Sequence, residues 1–445
     1  MPTRVACSMN ALALQIVACA LRHRVHSGSL TLRDVNGNTR RIESGSPGPD
    51  MVLSFHDRAL PWQIMLNAPM AIPEAYMDQR LTIEGGALEG FLRIMMRARI
   101  ASNREGREKR HLNNRRAVAR SGRAWMRNTL PAARRNVAHH YDLSDSLYAQ
   151  FLDQDWHYSC AYFAGATDDL ETAQRAKDRH IAAKLALRPG QRVLDIGCGW
   201  GSTALYLARL VGDLEIVGIT LSKEQLIVAR RRAAEAGLAG RVRFHLQDYR
   251  TFDERFDRIY SIGMFEHVGV PQYPVFFDRL RAMLNPRGVA LVHSIVRLGG
   301  PGVTAPWLRK YIFPGGYSPA LSEVLPHIET AGLRLTDLEV LREHYAKTLR
   351  HWRRRFAANR DAVAALYDER FCRMWELYLT GSQLAFELDD HAVGQFQIAG
   401  PECDLPLTRD YIARAERTYP LWPEARAPAN ADDRHRRALG PAQVE

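Results

Sequence analysis

The chain is 445 residues long, 46% hydrophobic and 25% charged, the proportions of a soluble globular protein rather than a disordered or fibrous one. Its length exceeds one ordinary domain, and no apolar run approaches the ~20 residues that a membrane span requires. The six cysteines, Cys7, Cys19, Cys160, Cys198, Cys372 and Cys403, form no CxxC pair and accompany no histidine cluster at ligand spacing. That argues against a disulfide scaffold and a metal site, and for a reduced, cytoplasmic setting. The formal net charge of +12 is concentrated, because Arg97–Arg135 holds thirteen Lys/Arg against Glu105 and Glu108. Such a stretch implies an anionic partner, nucleic acid or an acidic membrane surface, each basic residue near lipid contributing about 1 kcal/mol, unless it is only a solvated linker.

In chain order, Ala11–Leu21 reads as an amphipathic first helix. Asn10 and Gln15 interrupt its apolar run and no small-residue cleavage site follows, so it is not read as a signal peptide. Residues 29–90 mix short apolar runs with the turns Asn36-Gly37 and Gly45–Pro49, the pattern of a small α+β unit, and lead into a helix with Leu88, Phe91, Leu92 and Met95 on one face. The expected organisation is an N-terminal α+β domain over 1–96, a basic helical linker over 97–135, a main domain over 136–419 and a disordered tail over 420–445. Within the main domain, strands are expected near 192–196, 214–219, 241–246, 257–262 and 288–295 with helical patterns between them, which predicts a parallel sheet covered on both faces. One long helical region over about 345–387 precedes a last strand at Val393–Ala399.

The chemistry centres on Val193–Gly201. Val193, Leu194 and Ile196 read as a buried strand, Gly197, Gly199 and Gly201 follow at every second position, and the helical pattern resumes at Ser202. Glycines there remove the Cβ atoms that keep a ligand off the backbone, and Asp195 at the strand's carboxyl end can hold a positively charged or amino-bearing group. The spacing Asp-x-Gly-x-Gly-x-Gly differs from the GxGxxG of a dinucleotide fold. The second strand ends without a carboxylate for ribose hydroxyls, so Thr220 and Gln225 are expected to supply hydroxyl and amide contacts while Glu224 faces solvent. Asp248 and Tyr249, after the third strand, are positioned to flank an adenine, with a satisfied turn as the plain alternative for Asp248. After the fourth strand, Met264-Phe265-Glu266-His267 sets a carboxylate on an apolar turn, a costly arrangement unless the carboxylate is paired or hydrogen-bonds something essential.

The glycine turn resembles motif I of the class I S-adenosylmethionine (SAM)-dependent methyltransferases. HYDLSD with YSCAYF, VLDIGCGWG, GITLSKEQ, MFEHVG, the strand Leu291–Ile295, YIFPGG at Tyr311–Gly316 and HYAKTL at His344–Leu349 together resemble the cyclopropane-fatty-acyl-phospholipid synthase family, which includes the mycolic acid cyclopropane synthases; they run in order over about 136–400. The stretch EAYMDQRLTIEGG, at Glu74–Gly86, resembles the amino-terminal domain of the longer bacterial members. The resemblance implies an α/β fold, a class I methyltransferase (Rossmann-like) domain with a seven-stranded, mostly parallel sheet and a helical insertion over the substrate mouth, preceded by a smaller α+β domain. It implies SAM as co-substrate, contacted by Tyr141, Tyr158, Ser159, Gly197, Thr220 and Gln225, beside Asp195, Gly199, Gly201, Asp248 and Tyr249.

The resemblance also implies a reaction, transfer of a methylene from SAM to the cis double bond of unsaturated acyl chains of membrane phospholipids, closing a cyclopropane ring. An alkene is a feeble nucleophile, so the sulfonium must be held in line with it in a dry pocket, and the carbocation left by methyl transfer must lose a proton inside an apolar channel. Bound bicarbonate is the implied proton acceptor, held by Cys160, Glu266, His293, the Ile295 backbone and Tyr345. Each of these side chains also has an ordinary packing role open to it. Phe163, Tyr311 and Phe313 are expected either to face the cation or to pack in the core. One position departs from the family pattern: Ser382 stands in Tyr378-Leu379-Thr380-Gly381-Ser382 where many members carry cysteine, and a serine is no thiolate nucleophile. That cysteine is expected to be dispensable.

The partners expected on this reading are unsaturated phospholipid acyl chains, an anionic membrane surface to which the protein binds peripherally from the cytoplasm, and a second copy in a homodimer. The alternatives are a fatty acyl C-methyltransferase on the same scaffold, giving a branched or methylene product without ring closure, a non-catalytic lipid-binding protein, and a nucleic-acid methyltransferase. The last is disfavoured because the fourth strand is not followed by the Asn/Asp-Pro-Pro-aromatic motif of base and amide nitrogen methylation.

Overall fold

The computed structural model describes residues 2–22, 25, 27–85, 88–104, 129, 131, 133 and 143–422. Most of the basic stretch, Tyr141 and the tail beyond residue 422 lie outside the described residues.

The N-terminal part builds a four-stranded sheet from β1 (Ser29–Arg33), β2 (Thr39–Glu43), β3 (Asp50–Phe55) and β4 (Leu81–Glu84), in the order β2-β1-β3-β4. Only β1 and β3 run parallel. The first helix is longer than its apolar run suggests, Pro2–Arg22, and buries Leu14, Val17, Ala18 and Leu21 against Leu30, Leu32 and Ile42 of the sheet. Those positions recur at helical spacing, so one face pays the desolvation cost of none of its polar neighbours. The next helix, Leu60–Met77, carries Pro69 and Pro73 and leaves helical geometry at Asn67, two residues before the first of them. A proline clashes with the residue preceding it and with the turn before, which accounts for a break there.

The main sheet has seven strands: β5 (Arg192–Ile196), β6 (Glu215–Thr220), β7 (Val242–Leu246), β8 (Phe256–Ile262), β9 (Leu284–Arg297), β10 (Arg334–Leu341) and β11 (His391–Ala399). Their order is β10-β11-β9-β8-β5-β6-β7, and only β11 is antiparallel to its neighbours. The chain leaves β5 towards β6 and β7, then crosses back to β8 on the other side of β5. That reversal opens a crevice at the carboxyl ends of β5 and β8, where open parallel sheets bind ligands. The edge strand β10 escapes the residue pattern because its burial is mostly partial.

The expected single helical region over about 345–387 is three helices, His344–Ala358, Arg360–Leu366 and Glu369–Leu388. Tyr367 leaves helical geometry at φ −130 and ψ −108, and the Asp368 carboxylate accepts the Phe371 N–H at 2.6 Å, starting the last helix afresh. Two of these helices cover the carboxyl ends of the sheet and meet the N-terminal part. There Arg93 reaches Glu387 at 2.7 Å, Arg353 reaches Glu89 at 2.9 Å, and the Trp307 indole N–H points at Met77 Sδ at 3.1 Å in a buried contact. Lys310 Nζ and the Tyr311 hydroxyl both donate to Glu74, each at 2.7 Å. Met77 belongs to the same buried cluster as Trp307, Trp352 and Trp375, so the two parts share a core. Among the described residues no helix is long and apolar enough to cross a membrane.

Candidate active site

The glycine turn after β5 forms one wall of a cleft. The Gly197 and Cys198 N–H groups donate to Ile219 O of β6 at 2.9 and 3.0 Å, which holds the turn against the sheet. Gly201 has φ 81°, and a Cβ there would lie 2.6 Å from the Phe244 ring. Gly201 itself is not in the lining of the cleft. Gly201→Ala is expected to cost ~1–3 kcal/mol of stability through backbone strain and the clash with Phe244, read as a lower denaturant midpoint; a wild-type midpoint would show that the turn tolerates a side chain.

Asp195, Gly197, Gly199, Thr220, Gln225, Asp248 and Tyr249 all line this cleft, together with Tyr158 and Ser159 from the segment before the main sheet. Burial pushes the Asp195 carboxyl up to about 7, although it accepts the Tyr260 hydroxyl at 2.9 Å. A cationic or amino group in the cleft would restore its charge. Thr220 donates to the Gln225 amide oxygen at 3.1 Å, and the Ser222 hydroxyl caps the helix Lys223–Glu235 by accepting the Gln225 N–H at 3.2 Å. Glu224 is exposed, as expected. Asp248 follows the plainer of its two readings in part: its carboxylate accepts the Arg250 N–H at 2.9 Å and pairs with the Arg250 guanidinium at 2.7 Å. Trp156, His157, Arg250 and Met264 also line the cleft and escaped the motif reading.

A second, mainly apolar cavity meets the first. Tyr158, Gly263 and His267 line both, so the two adjoin at the carboxyl end of β8. Glu266, Ile295 and Tyr345 line the second cavity, as do Phe313, Tyr378 and Ser382. Pro69, Pro73, Leu92 and Met96 of the N-terminal part complete it, a contribution that no local pattern signals. Phe163 and Tyr311 are absent from its lining. Phe163 stacks on His351 at 5.7 Å, and Tyr311 is engaged by Glu74, so both follow the packing alternative.

Glu266 sits in the wall of this cavity with its Oε1 accepting the Ile295 N–H at 2.7 Å, while its buried Oε2 has no hydrogen-bond partner. Burial pushes the carboxyl up to about 7. The Ile295 N–H assigned by resemblance to bicarbonate thus donates to Glu266. His293, two residues earlier on the same face of β9, is buried, and burial with the Lys177 and Lys184 charges pushes it down to about 3. Its Nδ1 lies 3.2 Å from the Gln395 side-chain amide across the β9–β11 pair. Cys160 is buried with Sγ donating to Ala161 O at 3.3 Å, and burial pushes its thiol well up, so it is no thiolate. Neither Cys160 nor His293 is in the lining of either cavity; both lie in the surrounding layer. The Tyr345 ring packs 4.8 Å from Phe386 and 5.9 Å from Trp352. In the lining itself, an unpartnered carboxylate oxygen on Glu266 and the Tyr345 phenol are an acceptor and a donor that fit a small anion carrying one hydroxyl, such as bicarbonate.

A family model described as mycolic acid cyclopropane synthetase matches residues 129–396. The chain is 42% identical over 251 residues to the cyclopropane-fatty-acyl-phospholipid synthase of Escherichia coli (strain K12), spanning 56% of this chain and 64% of that protein. It is 40% identical over 290 residues to a probable fatty acid methyltransferase of Pseudomonas putida, spanning 62% of this chain and 73% of that one. Among solved structures, mycolic acid cyclopropane synthase CmaA1 complexed with SAH and CTAB matches with a TM-score of 0.57 at 35% identity, over 60% of this chain and 98% of that chain.

Proposed function

The chain belongs to the mycolic acid cyclopropane synthetase family, and from that premise we propose that it adds a methylene from SAM across a cis double bond in the acyl chains of membrane phospholipids, releasing S-adenosylhomocysteine and a proton. The observation that carries this reading is the buried, unpartnered Oε2 of Glu266 in the wall of an apolar cavity that adjoins the glycine-lined cleft. A carboxylate in such a wall is costly unless a ligand hydrogen-bonds it. SAM supplies the electrophilic methyl, and bicarbonate, when bound, supplies a proton acceptor where the chain's own basic groups are few.

The residues then divide the work. Asp195, Thr220, Gln225 and the glycines hold the nucleoside and amino acid ends of the cofactor. Tyr158 lines both cavities and would stand between the sulfonium and the alkene. Glu266 and Tyr345, which line the cavity, would hold the anion, the carboxylate as acceptor and the phenol as donor, while Cys160 and His293, buried outside its lining, would support that wall. Phe313 and Tyr378 offer ring faces to the developing cation, worth ~0.5–2 kcal/mol each. The apolar lining excludes the water that would quench it.

On this reading the basic stretch Arg97–Arg135 attracts the chain to an anionic bilayer from the cytoplasmic side, and a homodimer doubles the attraction. Val303, which lines the lipid cavity and is 44% exposed, supports a mouth that opens on the lipid. A second reading, methylation without ring closure, is supported by the probable fatty acid methyltransferase among the relatives. Incubation of methyl-labelled SAM with vesicles of unsaturated phospholipid tests the proposal. Label is expected in the acyl chains, more so with anionic lipid at low salt; label in added RNA but not in lipid would contradict it.

A further inference from the structure

We propose that His157 is a positioning residue that sets the width of the cofactor cleft, because its ring, held between Asp153 and Asp178, ties the segment carrying Tyr158 and Ser159 to the helix that follows the glycine turn. This rests on the reading of that cleft as the SAM site. Residues 156–163 form neither helix nor strand, so their backbone groups need other partners. The helix Leu170–Lys184 provides several: Gln174 Nε2 donates to Ser159 O at 2.9 Å, and Ala173 O accepts the Tyr162 N–H at 3.0 Å. Trp156 takes a left-handed φ of 61°, a strained conformation for an aromatic residue that its surroundings must hold.

The holding group is next to it. His157 Nδ1 lies 2.7 Å from Asp153 Oδ2, its Nε2 lies 2.9 Å from Asp178 Oδ2, and its N–H donates to Asp153 Oδ1 at 2.8 Å. The other oxygen of Asp178 accepts the Thr203 hydroxyl at 2.9 Å, and Thr203 is the second residue of the helix Ser202–Leu210. Lys177 Nζ lies 3.3 Å from that same oxygen and donates to Ser159 Oγ at 3.3 Å. Asp178 therefore joins both walls of the cleft, His157, Tyr158 and Ser159 on one side and Thr203 on the other, and all of these line it. Asp153, His157, Lys177 and Asp178 are each at most 5% exposed.

An imidazole with a carboxylate at each nitrogen bonds both only when doubly protonated. With Lys177, that gives two buried cations for two buried carboxylates, and removing one of the four leaves a charge uncompensated. Burial and the Lys177 charge push His157 down, but Asp153 and Asp178 outweigh them and bring it up to about 9. On one side His157 lines a small cavity with Asp155 on its own segment, Arg175 on the Leu170–Lys184 helix, Tyr206 and Arg209 on the Ser202–Leu210 helix, and Arg232 and Glu235 on the Lys223–Glu235 helix; on the cleft side Asp195 interacts with Asp178 and Lys177.

The test is calorimetric titration of the full chain with S-adenosylhomocysteine, without lipid, between about pH 6 and pH 10. Wild-type affinity is expected to rise through about pH 7 as Asp195 ionises and to fall above about 9. His157→Gln is expected to bind at least about tenfold more weakly at neutral pH and to show only the shallower fall that the ligand's own ammonium group produces. Asp153→Asn keeps the ring but removes one of its carboxylates, so its fall moves to lower pH; this variant carries the test should His157→Gln not fold. A role in stability alone would lower the melting temperature and leave these profiles unchanged. Wild-type affinity in His157→Gln, or an unmoved fall in Asp153→Asn, overturns the proposal. No binding of S-adenosylhomocysteine by the wild-type chain overturns the cofactor reading beneath it, whereas failure of the lipid reaction alone leaves these profiles as described.

Discussion

Glu266→Gln is expected to lower turnover of unsaturated phospholipid by ~10²-fold or more, the range lost when a positioned acid–base group is removed, with affinity for SAM unchanged. The amide keeps the shape and can still accept the Ile295 N–H, but its other end becomes a donor facing a site that requires an acceptor. The wild-type pH profile follows from the same burial. A carboxyl raised to about 7 is largely protonated below that pH, so the rate is expected to rise as pH increases through about 7. Stability runs the other way. Between the ordinary glutamate value of 4.5 and about 7 the folded chain keeps a proton that the unfolded chain has lost, so stability falls as pH rises through that window. Glu266→Gln removes this dependence and is expected to melt at a higher temperature than wild type at pH 8 while being nearly inactive. Normal turnover in this variant would end the assignment of Glu266.

The largest expected loss of stability is at Trp352. Its side chain is fully buried on the helix His344–Ala358, stacks on Tyr158 at 5.2 Å and meets Phe151 and Tyr345 edge-on at 6.0 and 5.9 Å. Trp352→Ala is expected to cost ~3–5 kcal/mol, the transfer and cavity terms of a large aromatic in a core, read as a shift in the denaturant midpoint. Activity should fall with it, since Tyr158 and Tyr345 both lean on this ring. Trp352→Phe should cost less, because the indole N–H is buried without a partner and its removal relieves that penalty. A loss below ~1 kcal/mol in the alanine variant would show that the cluster repacks freely.

The parts legible in the sequence are those governed by local pattern. The run Val193–Gly201 announces strand, turn and helix, and the neighbouring strands carry recurrent apolar residues between helical patterns, so β5, β6, β7, β8 and β9 stand within a few residues of where they were expected. Glu266 was legible as an anomaly, a carboxylate among apolar neighbours. Less was legible where a cap competes with periodicity. The break between the helices Arg360–Leu366 and Glu369–Leu388 depends on Asp368 accepting the Phe371 N–H, and the apolar spacing runs across it undisturbed. Asp248 carried an available partner two residues away in Arg250, and the short-range pair formed.

What local pattern does not carry is the approach of distant segments. Pro69, Pro73 and Leu92 line the same cavity as Tyr345 and Ser382, although nearly the whole main sheet separates them in the chain. Cys160 and His293 were named as direct contacts of the anion, whereas their buried side chains stand behind the cavity wall. His157 reads in the sequence as one more polar residue beside tryptophan and tyrosine. Its role depends on Asp178 and Thr203, which only the fold brings to it.

The central claim is that one cavity brings an alkene to the sulfonium and an adjacent acceptor then takes the proton that closes the ring. Proton NMR of the fatty acids recovered after incubating the purified chain with SAM and unsaturated phospholipid vesicles tests it most directly. Upfield cyclopropane methylene resonances replacing the olefinic signal are the expected result. A methyl branch or an exocyclic methylene in their place, with no ring signal, would contradict it.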